Sequence, residues 1–105
     1  MDAQSADLDQ LIAQCNSMVD RLELVMEHRR VEEGVSYDEL NDWMGRVEQF
    51  LLNGFGEQAA RRYQLVCARR EYDLEHAGSL LIDELRGQVR RLRRQRWFLE
   101  EFRSR

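Results

Sequence analysis

Apolar residues recur along this chain at helical spacing, in blocks separated by glycine-bearing breaks. From Asp7 to Arg30, Leu8, Leu11, Ile12, Cys15, Met18, Val19, Leu22, Val25 and Met26 follow the i, i+3, i+4, i+7 rule. At 100° per residue they fill a stripe about 140° wide, which predicts one long amphipathic helix over 7–30. Leu24 falls on the far side and is expected to face water. Residues 31–35 read as a short loop around Gly34. Ser36-Tyr37-Asp38-Glu39 has the form of a capping box, with serine at the N-cap and glutamate three positions on. It opens a second helix over 37–52, with Leu40, Trp43, Met44, Val47, Phe50 and Leu51 on one face. Asn53-Gly54 is the expected stop, since glycine or asparagine most easily takes the left-handed conformation that ends a helix. Phe55 is then expected to plug the core at the turn.

A third helix is predicted over 57–76, with Ala59, Ala60, Tyr63, Val66, Cys67 and Leu74 inward and Arg70 inside this thinner face. Ala77-Gly78 reads as a break and Ser79 as the next N-cap. A fourth helix then covers 79–103, with Leu81, Leu85, Val89, Leu92 and Leu99 on one side. Without that break, 57–104 becomes one long bent helix and the bundle has three members. Short connections make sequential helices antiparallel neighbours. The predicted fold is therefore all-α: one domain over 1–105, an antiparallel up-down bundle of four helices. Its expected core is Leu11, Cys15, Met18, Leu22, Leu40, Trp43, Val47, Phe50, Phe55, Tyr63, Cys67, Leu81, Leu85 and Leu92. The outer helices are longer than the inner two. Their ends are expected to keep apolar surface uncovered, which favours a dimer or another protein partner.

Composition sharpens this picture. The chain has no proline, and all 16 of its basic side chains are arginine. Lysine-free usage suits a GC-rich genome, but such a genome also supplies proline. Its absence therefore reads as a constraint against breaking helices. No apolar run approaches the roughly 20 residues of a membrane span, and Met1–Asp7 lacks the basic and apolar stretches of a signal peptide. A cytoplasmic location with no membrane contact is expected. Cys15 and Cys67 read as small buried hydrophobes rather than a disulfide framework. His28 and His76 are far apart, and neither a CxxC nor an HxxxH spacing occurs. No metal, cofactor or small-molecule substrate is expected. With no glycine-rich phosphate loop and no GxSxG, the chain is expected not to be an enzyme.

The formal charge of −4 hides an asymmetry. Residues 1–60 hold 13 acids against 4 arginines, a balance of −9, whereas residues 61–105 hold 7 acids against 12 arginines, a balance of +5. Either the halves attract each other on folding, or a basic surface awaits an acidic partner. The arginines crowd the last helix. Arg86, Arg90, Arg93 and Arg94 project roughly 120–220° from Leu81 on a helical wheel, and Trp97 lies in the middle of that outward face. Three readings are open. The arginines solvate the face and one covers Trp97 as a cation–π partner; the face is a protein interface, where Trp and Arg dominate; or the arginines track phosphates while Trp97 stacks on a base. The acidic total, with Glu100 and Glu101 beside the patch, favours protein over nucleic acid. Arg86, Arg90, Arg93, Arg94 and Trp97 are thus the candidate partner-binding residues, for a protein partner and a homodimer.

Two resemblances add expectations. Arg70 and His76 are separated by five residues, a spacing similar to the R-x4–6-H pattern of HEPN ribonucleases. The resemblance implies an all-helical, dimeric RNA cutter with His76 as acid–base and Arg70 on the phosphate, a third alternative behind protein and nucleic-acid binding. Glu71 departs from that pattern, because a carboxylate there repels RNA. Separately, Trp43, Arg46-Val47, Phe50-Leu51, Phe55-Gly56-Glu57 and Tyr63 resemble a helical accessory module of uncharacterised bacterial effector and defence proteins, with Trp43–Gly56 as its most specific part. That module often precedes an effector domain of antiphage or signalling systems. Here an Arg-rich helix stands in the effector's place, so the resemblance implies scaffolding or oligomerisation in a bacterial or phage defence setting.

Overall fold

Four amphipathic stripes bury one another in the computed structural model, which describes residues 3–28, 35–68 and 80–103. The helices are α1 (Ala3–His28), α2 (Tyr37–Phe55), α3 (Glu57–Ala68) and α4 (Leu80–Arg103). The expected Gly34 loop, the proposed break at Gly78 and the burial of Leu81 lie outside the described residues. Helix α1 starts about a turn before Asp7, at Ala3, where Ala3, Gln4 and Ala6 carry helix-compatible side chains. Ser36 is the N-cap of α2: its backbone is extended, and its hydroxyl oxygen accepts the Glu39 N–H at 3.1 Å. The other half of the capping box is diverted. The Glu39 carboxylate takes two N–H bonds from the Arg21 guanidinium, at 2.5 and 2.9 Å, tying α2 to α1. A bidentate charged pair outcompetes a single bond to a backbone amide, and it raises the Arg21 pKa.

Helix α2 does not stop at Asn53-Gly54. It runs to Phe55, and Gly56 makes the turn with φ 92 and ψ 178, its N–H reaching back to the Leu51 carbonyl at 3.0 Å. That region of backbone space is open essentially to glycine alone. The extra residues carry the Phe55 ring to Phe102 of α4, 4.6 Å between centroids, and to Phe50 at 5.8 Å. Phe55 therefore packs against the core, half-buried, at the turn.

Contacts give the helix directions. Asp9 and Glu23 of α1 meet Arg103 and Arg93 of α4, in reversed order. Leu11 and Arg21 of α1 meet Trp43 and Glu39 of α2, again reversed. Glu48 of α2 meets Gln64 of α3, and Arg62, Tyr63 and Cys67 of α3 meet Glu101, Gln95 and Arg91 of α4. Each helix is antiparallel to its chain neighbours, and α4 closes the ring on α1. The up-down bundle of four is the observed fold. The side-by-side packing of α3 and α4 excludes one bent helix across both.

Leu8, Ile12, Cys15, Leu22, Trp43, Val47, Leu51, Tyr63, Leu92 and Leu99 form the heart of the core. Phe50, Phe55, Cys67 and Leu85 are only partly buried at its edge, because they sit at helix ends or on the shoulders of their stripes. Phe98 and Phe102, at 5% and 4% exposure, belong to the core and extend the buried side of α4 beyond its leucines. Three polar clamps set the helices' rotation. The Trp43 indole N–H donates to the Leu11 carbonyl at 3.1 Å, the Cys15 thiol to the Leu92 carbonyl at 3.2 Å, and the Tyr63 hydroxyl to Gln95 Oε1 at 2.7 Å. The ends of α1 are not left bare as expected: Leu8 and Val25, near opposite ends, are 3% and 2% exposed. Among the described residues, no helix is long and apolar enough to cross a membrane.

Candidate interaction face on the fourth helix

Helix α4 presents two opposed sides. Val89, Leu92, Gln95, Phe98, Leu99 and Phe102 point into the bundle. Opposite them, Arg86, Arg90, Arg93, Trp97 and Glu100 are exposed. Between these sides, the arginines on the flanks are bound to neighbouring helices. Toward α1, Arg96 donates to Asn16 at 2.7 Å, Arg103 to Asp9 at 2.5 and 2.9 Å, and Arg93 to Glu23. Toward α3, Arg91 donates to the Cys67 carbonyl at 3.3 Å, and Glu101 accepts from Arg62 at 3.3 Å. Much of the charge asymmetry is thus internal to the fold: basic α4 lies along acidic α1.

The five predicted residues divide accordingly. Arg86 and Arg90 are exposed and, among the described residues, have no carboxylate within ion-pair distance. Arg93 is exposed but tied to Glu23. Arg94 is half-buried and engaged within the fold, so it sits at the edge of the face rather than on it. Trp97 is 69% exposed at the centre. Among the described residues no arginine lies over its ring, and the cation–π contact found is Arg62 over Phe98, 5.3 Å from the ring centroid. A tryptophan side chain buries about 150–250 Å² when covered. At roughly 25 cal/mol per Å², the part of Trp97 left in water represents about 3 kcal/mol of unused burial. The row continues past Trp97 to Glu100, a residue the arginine pattern drew attention away from; its regular spacing from Trp97 was the available signal.

Elsewhere the described surface holds several grooves, two of them of similar size. One, of about 450 Å³, lies between α1 and α2 beside Asp7, Arg46 and Phe50. The other, of about 440 Å³, lies between α2 and α3 beside Met44, Gly45 and Cys67. Neither holds an activated nucleophile. Burial pushes the Cys67 thiol above its ordinary range and the Cys15 thiol up to about 12, so both stay protonated near neutrality. The Arg70 and His76 pair lies outside the described residues, and no group of three His, Cys, Asp or Glu among the described residues could hold a metal ion. No family model, curated protein or solved structure matches the chain.

Proposed function

We propose that the chain is a non-catalytic helical interaction module that works in the cytoplasm and binds protein through the outer face of α4. The observation that carries this reading is Trp97, 69% exposed between Arg90, which meets no carboxylate among the described residues, and the Glu100 carboxylate. Tryptophan and arginine are the side chains on which protein interfaces most depend, and an exposed indole leaves apolar area in water. A polyanion is the poorer fit. Arg93 and Arg103 already face carboxylates of α1, so a phosphate backbone would have to displace them. The likeness of Trp43–Gly56 to bacterial accessory modules supports a scaffolding role in a defence system.

Fluorescence tests the reading directly, because Trp43 is buried at 1% exposure and iodide reaches only Trp97. Titration with single-stranded and duplex oligonucleotides should leave Trp97 quenching unchanged. Protection of Trp97 by an oligonucleotide, weakening steeply as salt rises, would assign the face to nucleic acid and overturn the proposal.

A further inference from the structure

The exposed positions described on α4 are not scattered, and all but Arg103, which is bound to Asp9 of α1, form one row. Arg86, Arg90, Arg93, Trp97 and Glu100 follow one another at intervals of four, three, four and three residues, the spacing of a seam along which two helices pack. The charge along the seam goes from arginine before Trp97 to glutamate after it, and the next exposed residue, Arg103, has its charge taken up by Asp9 of α1. We infer that this face pairs with the same face of a second copy of the chain, with the two α4 helices antiparallel about a twofold axis level with Gln95. The inference rests on reading the face as a protein interface, and it names the partner.

The charge pattern selects this arrangement. A twofold contact must be self-complementary, since the same patch is used by both copies. Parallel α4 helices would set arginine on arginine along half the seam. Antiparallel helices set Arg90 opposite the partner's Glu100 and Arg93 opposite the partner's Trp97, and the axis makes each contact occur twice. The groups that would pair are available for it. Among the described residues, Arg90 has no carboxylate within ion-pair distance, and Glu100 meets only Arg96, at 4.0 Å, the outer limit of an ion pair. Arg93 meets Glu23 through one nitrogen, which leaves the flat face of its guanidinium free to lie over an indole. One helix face covers less than a standard-size interface, so the dimer should form and dissociate with concentration.

Sedimentation equilibrium on the full chain tests this with five proteins: the parent, Arg90→Glu, Glu100→Arg, the Arg90→Glu/Glu100→Arg double variant, and Trp97→Ala. Thermal unfolding checks that each variant folds. Each single reversal places like charges together twice and should weaken the dimer about tenfold. The double variant restores opposite charges and should recover the parent affinity, while Trp97→Ala should remain monomeric. Dimerisation lost in Trp97→Ala but not rescued in the double variant would overturn the antiparallel register and leave the protein-interface reading standing. A strict monomer at every concentration would overturn the second-copy partner. If Trp97 of that monomer also responded to oligonucleotides, the interface reading would fall with it. Association indifferent to all four variants would overturn both.

Discussion

Removing the hydroxyl of Tyr63 is the sharpest test of how this core is built. Tyr63 and Gln95 are each 1% exposed, and the phenol donates to Gln95 Oε1 at 2.7 Å between α3 and α4. Burial also raises the Tyr63 pKa, so the phenol remains a donor at any working pH. Tyr63→Phe removes one oxygen atom and leaves the Gln95 carbonyl without this donor in an apolar layer. Such an orphaned group costs about 1–3 kcal/mol. Gln95→Met, close in length and volume, removes the phenol's amide acceptor and leaves it the Cys67 sulfur, a weaker partner, so it should also destabilise, at the lower end of that range. The double variant leaves neither group behind and should lie within about 1 kcal/mol of the parent. Urea unfolding followed by far-UV circular dichroism gives the three differences. For a domain of this size each kcal/mol moves Tm by about 4–8 °C, so the single variants should melt visibly lower than the double. Single effects that simply add, to within about 0.5 kcal/mol, would refute the coupling and show that the two groups do not rely on each other.

Two glycines should respond to alanine with opposite signs in the same assay. Gly45 is exposed within α2, and an added Cβ would meet nothing within 4 Å, so Gly45→Ala should stabilise by about 0.5–1 kcal/mol. Gly56→Ala should destabilise by about 1–3 kcal/mol, because φ 92 with ψ 178 is strained for any side chain. The Cys15 thiol predicts an alkaline limb. Burial raises its pKa from 9.0 to about 12, so the folded state holds this proton more tightly than the unfolded state. Its stabilising contribution is complete below pH 9 and is lost as pH rises toward 12, by at most about 1.4 kcal/mol per pH unit. Cys15→Ala, though less stable at neutral pH, should flatten that limb in pH-dependent urea unfolding. An unchanged slope would remove Cys15 as its source.

Periodicity revealed α1 and α2 because their inward sides are filled by large aliphatic and aromatic residues with little interruption. It revealed less of α4. The leucines at 85, 92 and 99 mark the centre of its buried side, but α4 lies between α1 and α3 and is covered over a wider arc. Phe98 and Phe102 occupy the shoulder of that arc. Gln95 lies there too, and its polarity disguised it as a surface residue; its spacing of three and four residues from Phe98 and Leu99 was the clue. Helix α2 runs three residues past the expected 52, although Asn53-Gly54 carries the usual signal for an ending. What overrides that signal is a tertiary contact, Phe55 on Phe102, that no local pattern contains. Trp97 was legible as exposed because its outward angle depends only on its own helix. The fates of Arg93 and Arg94 were not, because they depend on which helix lies alongside and at what height.

Those fates bear on the charge asymmetry of the chain. Among the described residues, ion pairs that cross between helices join Arg21 to Glu39, Arg93 to Glu23, Arg103 to Asp9 and Arg62 to Glu101, and these are substantially exposed. Exposed pairs contribute about 0–1 kcal/mol each, small beside the burial of Trp43, Tyr63, Leu92 and Leu99. Their effect is on register. Asp9 and Glu23 are 14 residues apart on α1, about 21 Å along the helix axis, and meet Arg103 and Arg93 together only when α4 runs the opposite way at one height. A slide by one turn separates both pairs at once. The fold thereby accounts for the arginines on the flanks of α4. It does not account for Arg86 and Arg90, which are exposed, meet no carboxylate among the described residues and stand in one row with Trp97. If the basic excess served register alone, these two positions would be as well filled by glutamine. Replacing both with glutamine should therefore leave Tm unchanged while weakening whatever contact protects Trp97 from iodide.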